Sequence, residues 1–190
     1  MVRPNPVDAG IQRLQRWGFT LEGWHDNRRG EWWLLAQLLL ILAHLLPGFP
    51  SPGSFGIIWP GSLRILGISM VLAGLLLSLI SFRALGASLS PLPEPMPGAP
   101  LMTEGLYARC RHPLYLSVLV CSLGVCIALG SLLHGGLLLG LVGVLGAKAR
   151  REEHRLLDLH PDYGAYRATT LAIVPGLPWL DWRTLNEDLR

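Results

Sequence analysis

The sequence predicts an all-α polytopic membrane protein with about four transmembrane helices, a fifth being possible. Three observations carry this. The chain of 190 residues is 51% hydrophobic and only 15% charged, with a mean hydropathy of +0.40, a balance too apolar for an ordinary globular domain in water. Its apolar runs are long and divided by loops rich in Pro and Gly. Its basic residues cluster beside those runs rather than along a stripe, so the formal charge of +3 points to membrane orientation and not to a nucleic-acid partner. The length suits one membrane domain over residues 32–190, preceded by an interfacial segment at 1–31.

In the N-terminal segment, Ile11, Leu14 and Trp17 recur at helical spacing against Arg13 and Arg16, the pattern of a short helix lying on a membrane surface. It does not read as a secretory signal, because the apolar run starts late and no small-residue cleavage pattern follows. Arg28, Arg29 and Glu31 precede the interfacial pair Trp32-Trp33, which opens a first span ending near Leu46, before Pro47-Gly48-Phe49-Pro50. That span is short for a bilayer, and His44 near its far end reads as an interfacial residue. An uncharged loop follows, then a second span from about Ser62 to Phe82.

Pro91, Pro93, Pro95, Pro97 and Pro100 exclude a helix between Ala84 and Pro100 and favour an extended segment, either a linker or a lid across a cavity. From Leu114 to Ala147 the chain is almost wholly apolar. One helix of that length would run roughly 50 Å, too long for a hydrocarbon core of about 30 Å. A hairpin of two spans is therefore expected, Pro113 to Leu129 and Gly136 to Ala147, turning over Gly130 to Gly136. Helix-forming composition continues from Lys148 to Leu157, and Trp179 and Trp182 read as anchors returning the tail to the interface. Basic residues before the first span, after the second and after the fourth put both termini on the cytoplasmic side.

The stretch Gly105-Leu106-Tyr107-Ala108-Arg109-Cys110-Arg111-His112-Pro113-Leu114-Tyr115 then stands at the mouth of the third span. Pro113 suits a first helical turn, and Arg111 and His112 sit where water meets hydrocarbon. Polar groups there are costly unless they bind something; the alternative is a basic collar that only orients the helix. The hairpin would bring this stretch to the same face as Arg150 to His154, Tyr163 and Tyr166, so Arg111 and His112 meet Glu152 or Glu153. A planar guanidinium engages carboxylates bidentately, so such a cluster suits a charged small molecule, or else is an ordinary ion network. Cys110, Cys121 and Cys126 form neither a disulfide framework nor a CxxC pair. The six histidines lack clustered-ligand spacing, so no metal is expected.

Taken together, Gly105-Leu106-Tyr107, Arg111-His112-Pro113-Leu114-Tyr115, Glu152-Glu153 with Leu156-Leu157, and Tyr163 with Tyr166 resemble the isoprenylcysteine carboxyl methyltransferase family, and more loosely the phospholipid N-methyltransferases. The resemblance covers about residues 85–175. It implies S-adenosylmethionine as methyl donor, bound between the cytoplasmic ends of the last two spans. It implies a cofactor pocket formed by Tyr107, His112, Pro113, Leu114 and Tyr115, closed by Glu152 or Glu153 and Tyr163 or Tyr166. Arg111, His112, Glu152 and Glu153 would serve the reaction, Arg111 by orienting the acceptor or a cofactor carboxylate. The chain departs from the family pattern at Leu171-Ala172-Ile173-Val174-Pro175 and at Leu159-His160, which leaves the acceptor open: an isoprenylcysteine-type carboxylate, or a lipid amine or hydroxyl. A membrane reductase using NADPH, related to sterol reductases, is the second enzymatic reading, and a membrane scaffold the non-enzymatic one.

Overall fold

The computed structural model describes residues 25–183, apart from 28, 89, 96, 97 and 178; the surface helix expected around Ile11, Leu14 and Trp17 lies outside the described residues. Among the described residues the regular structure is helical, with no strand: α1 (Glu31–Ala43), α2 (Gly61–Leu85), α3 (Pro113–Leu129), α4 (Leu132–Leu159) and the short α5 (Tyr163–Thr169). Two 3-10 turns, Pro52–Phe55 and Gly86–Ser88, flank α2. By length and composition α2 and α4 are apolar enough to cross a membrane, while α1 and α3 are apolar but shorter.

Local chemistry sets the helix ends. Pro113 occupies the first turn of α3, where its missing N–H leaves nothing unpaired. Gly130 closes α3 in the left-handed conformation at φ 57°, which a glycine adopts without steric cost. The turn is shorter than expected. It takes only Gly130 and Ser131, and residues 132–136 are already helical. Ser131 explains the difference: its carbonyl accepts from Gly135 N, and its hydroxyl bonds His134 Nδ1 at 2.9 Å, so His134 starts a helix rather than decorating a loop. From there α4 runs unbroken for 28 residues, roughly 42 Å. Its charged end, from Lys148 onward, lies past the apolar stretch and outside the part that would cross a bilayer.

Helices α2 and α3 make the closest approach. A Cβ on Gly67 would stand 2.5 Å from both Ala128 N and Gly124 O, and one on Gly74 would stand 2.5 Å from Cys121 Sγ, so glycine is what lets these backbones touch. The outer face of α2 leaves Ile65, Ile68, Leu72, Leu76 and Leu79 exposed. Helices α1 and α3 both pack on α4. The buried core lies where α3 and α4 meet the C-terminal segment, with Tyr115, Leu119, Leu141, Leu145 and Ala149 against Ala172, Ile173, Leu180 and Trp182. His44, half-buried at the end of α1, bonds Leu40 O at 2.7 Å and Ser122 Oγ at 2.6 Å, which satisfies its ring between helices.

Candidate active site

The approach to α3 is held by main-chain pairing before any side chain acts. Arg111 N donates to Leu171 O at 2.8 Å and His112 N to Ala172 O at 3.0 Å, beside an isolated bridge between Cys110 and Leu171. The segment after α5 thus folds back along residues 110–112. It fixes Arg111 and His112 at the N-terminus of α3, level with the charged end of α4.

Arg111 and Glu153 form the centre of the cluster, with side chains 1% and 0% exposed. Arg111 Nε donates to Glu153 Oε1 at 2.8 Å and Nη2 to Glu153 Oε2 at 3.2 Å, the bidentate arrangement a guanidinium favours. Its other N–H groups go to the carbonyls of Arg167, Thr170 and Trp182. A guanidinium has five N–H donors, so Arg111 is saturated inside the protein. Glu153 also accepts from His112 Nε2 at 2.8 Å and Trp182 Nε1 at 2.7 Å. Burial alone would raise the Glu153 pKa, but hydrogen bonds and charge from His112 and Arg111 outweigh it and hold the carboxyl at about 2. A buried pair so completely satisfied is a structural anchor.

Glu152, one position earlier on α4, faces the other way. Its side chain is 26% exposed, and Oε2 accepts from Tyr115 Oη at 2.9 Å and lies 4.0 Å from His112 Nδ1. The imidazole of His112 therefore stands between two carboxylates, stacked on the Tyr115 ring at 5.2 Å and 2°. Glu152 and His112 border a cavity of about 80 Å³ whose walls also include Tyr107, Tyr163, Tyr166, Leu156 and His160. Ser90, Pro95 and residues 99–102 contribute to the walls as well, which puts the Pro-rich connection over the cavity.

The hydroxyls of Tyr107 and Tyr163 are buried and meet no hydrogen-bond partner among the described residues. Such orphaned groups are uncommon in a settled interior and suit a ligand able to pair with them. Burial raises both phenols above the ordinary tyrosine range, reinforced by the charge of Glu152 at Tyr107 and of Glu153 at Tyr163, so both remain neutral hydroxyls. Tyr166 is raised by burial too, and its hydroxyl donates to Tyr107 O. Burial pushes the Cys110 thiol up to about 11, which leaves it a poor nucleophile at neutral pH.

Of the residues singled out in the sequence, Tyr107, Arg111, His112, Glu152, Tyr163 and Tyr166 meet at the cavity, and Leu114 and Tyr115 line a recess beside it with Glu152. Pro113 is buried in the first turn of α3 and borders neither space, while Glu153 lies behind the wall. Sequence reasoning missed Trp182. It is no interfacial anchor: it is 7% exposed, donates to Glu153 and has its ring 5.8 Å from the Arg111 guanidinium. No spacing signal links a tryptophan to a glutamate 29 residues earlier. Trp179 lies against Gly146 with Arg150 over its ring at 4.0 Å.

Compared with known proteins, the chain matches the model of the phospholipid methyltransferase family over residues 63–160, from the start of α2 to the end of α4. No individual curated protein matches it. The matched span is just over half of the chain and contains Arg111, His112, Glu152 and Glu153 in the arrangement described above. The chain belongs to the phospholipid methyltransferase family.

Proposed function

We propose that this protein is an integral membrane methyltransferase that uses S-adenosylmethionine, with an amine-bearing lipid as acceptor. The observation that carries the reading is the cavity where Glu152 and His112 meet the two unpartnered hydroxyls of Tyr107 and Tyr163, at the charged end of an apolar helix pair. These groups fit the donor. Glu152 suits its ammonium or ribose hydroxyls, the tyrosine rings its adenine, and the orphaned hydroxyls its remaining polar atoms. When bound, the donor supplies a methyl group on a sulfonium. The cavity of about 80 Å³ is below the range of about 300–1,000 Å³ usual for small-molecule sites, so its walls must part to take the donor.

The polarity of the walls favours an amine over a carboxylate acceptor. Glu152 presents negative charge, and Arg111, the one arginine among the lining residues, has no N–H to spare. An anionic acceptor would face repulsion there, and the phosphates of NADPH would find no guanidinium to hold them. An amine must lose a proton to react. His112 Nδ1 is the ring nitrogen not bonded to Glu153, and it is placed to take that proton, with Glu152 nearby to stabilise the imidazolium. The remaining contribution is alignment and exclusion of water. In this reading α1 to α4 all enter the bilayer of a bacterial inner membrane, α3 and α4 as a hairpin, with both termini and the cavity on the cytoplasmic side.

Calorimetry in detergent tests the donor: wild type should bind S-adenosylmethionine, and Glu152→Ala should weaken binding at least tenfold. Equal affinity in both would refute the site. Methylation of a lipid extract with labelled donor tests the acceptor. A base-stable N-methyl product is expected, whereas a base-labile methyl ester would overturn the amine reading.

A further inference from the structure

Fifteen of the sixteen formal cations are arginines; Lys148 is the chain's only lysine, and it is 2% exposed. Burying an ammonium is expensive, and a methionine would fill the same space without that cost. Three contacts meet it. Nζ donates to Gln37 Oε1 on α1 at 2.8 Å and to the carbonyl of Pro91 in the Pro-rich connection at 2.9 Å. It also stands 5.3 Å from the centroid of the Tyr115 ring on α3. Among the described residues no carboxylate lies within ion-pair distance of it. Its negative counterpart is reached through the ring instead: Tyr115 Oη donates to Glu152 Oε2 at 2.9 Å, four residues along the same helix from Lys148.

We propose that Lys148 is a positioning residue for Glu152, acting through Tyr115. A cation over an aromatic face draws electron density from the ring and makes its hydroxyl a stronger donor. It also fixes the ring's tilt, and so the point in space where the Glu152 carboxylate is held. A compact ammonium suits this place better than the planar fork of an arginine, since its donors diverge toward three elements. Gln37 and the Pro91 carbonyl in turn immobilise the ammonium beside the ring. The proposal rests on the reading of Glu152 as a donor-binding group.

A double-mutant cycle tests it, with Lys148→Met, Glu152→Gln and the double variant read by donor affinity and by melting of the ligand-free protein in detergent. Lys148→Met should melt no lower than wild type, since a buried charge has gone, yet bind S-adenosylmethionine about tenfold more weakly. In the Glu152→Gln background the same substitution should change affinity less than twofold. An equal loss in both backgrounds, or no loss in either, would overturn the proposal; a purely structural lysine would give the first pattern with a lowered melting temperature. If wild type binds no donor, the methyltransferase reading fails separately. The cycle is then read in melting temperature alone, where coupled shifts support Lys148 acting on Glu152 and additive ones refute it.

Discussion

Adjacent glutamates with opposite duties make the sharpest prediction. Glu153→Gln keeps the shape of the side chain but removes the charge opposite Arg111, whose side chain is 1% exposed. It also exchanges one carboxylate oxygen, each of which now accepts two hydrogen bonds, for an amide that donates. Removing one partner of a buried pair strands the other, at a cost of about 3–5 kcal/mol. For a chain of this length that corresponds to a melting temperature lower by roughly 6–20 °C. Glu152→Gln disturbs a quarter-exposed carboxylate with one hydroxyl donor, worth about 0.5–1.5 kcal/mol. Thermal melts in detergent, paired with donor titrations, should therefore separate the two. Glu153→Gln loses stability first and binding only as a consequence, whereas Glu152→Gln loses binding with little change in melting. If Glu153→Gln melted with wild type while binding donor as weakly as Glu152→Gln, the division between anchor and ligand contact would be refuted.

Two further expectations follow from the geometry. Gly67→Ala should destabilise the protein by about 1–3 kcal/mol, because its Cβ would meet the backbone of α3 at 2.5 Å and force the two helices apart; a melt indistinguishable from wild type would refute that close approach. The pH dependence of the Glu153 contribution has a definite sign. Its folded pKa, about 2, lies below the ordinary glutamate value of 4.5, so its pairing contributes fully above that value and is withdrawn as pH falls toward 2. The gap in melting temperature between wild type and Glu153→Gln should stay constant from about pH 7 to 5 and shrink below about pH 4.5; a gap that widens on acidification would reverse the assignment.

Hydropathy sufficed for the long helices because an apolar run of span length has few alternatives, and α3 occupies the residues expected of it, Pro113–Leu129. The turn before α4 was over-drawn for a physical reason. Gly130, Ser131, Gly135 and Gly136 all read as breakers, but only Gly130 takes a left-handed conformation among them, and Gly135 and Gly136 are absorbed into α4 once Ser131 and His134 bond each other. At the site, the local run from Tyr107 to Tyr115 and the Glu152-Glu153 pair were visible because each lies within a few residues of sequence. Which glutamate faces the cavity was not visible. Neighbours on a helix point about 100° apart, and the rotation of α4 is settled by its packing. The carbonyls that saturate Arg111, and the indole that closes the cluster, come from residues 167–182, where no periodicity marks them.

That late contribution has a consequence for how the molecule is born. A growing chain that has reached Leu159 possesses every long helix, yet its arginine–glutamate centre still lacks three carbonyls and an indole. Until Trp182 leaves the ribosome, the Arg111 guanidinium stands underpaired. Assembly of the centre is thus deferred until residues 167–182 have emerged, and a chain arrested before that point holds these helices without the groups that complete the cluster.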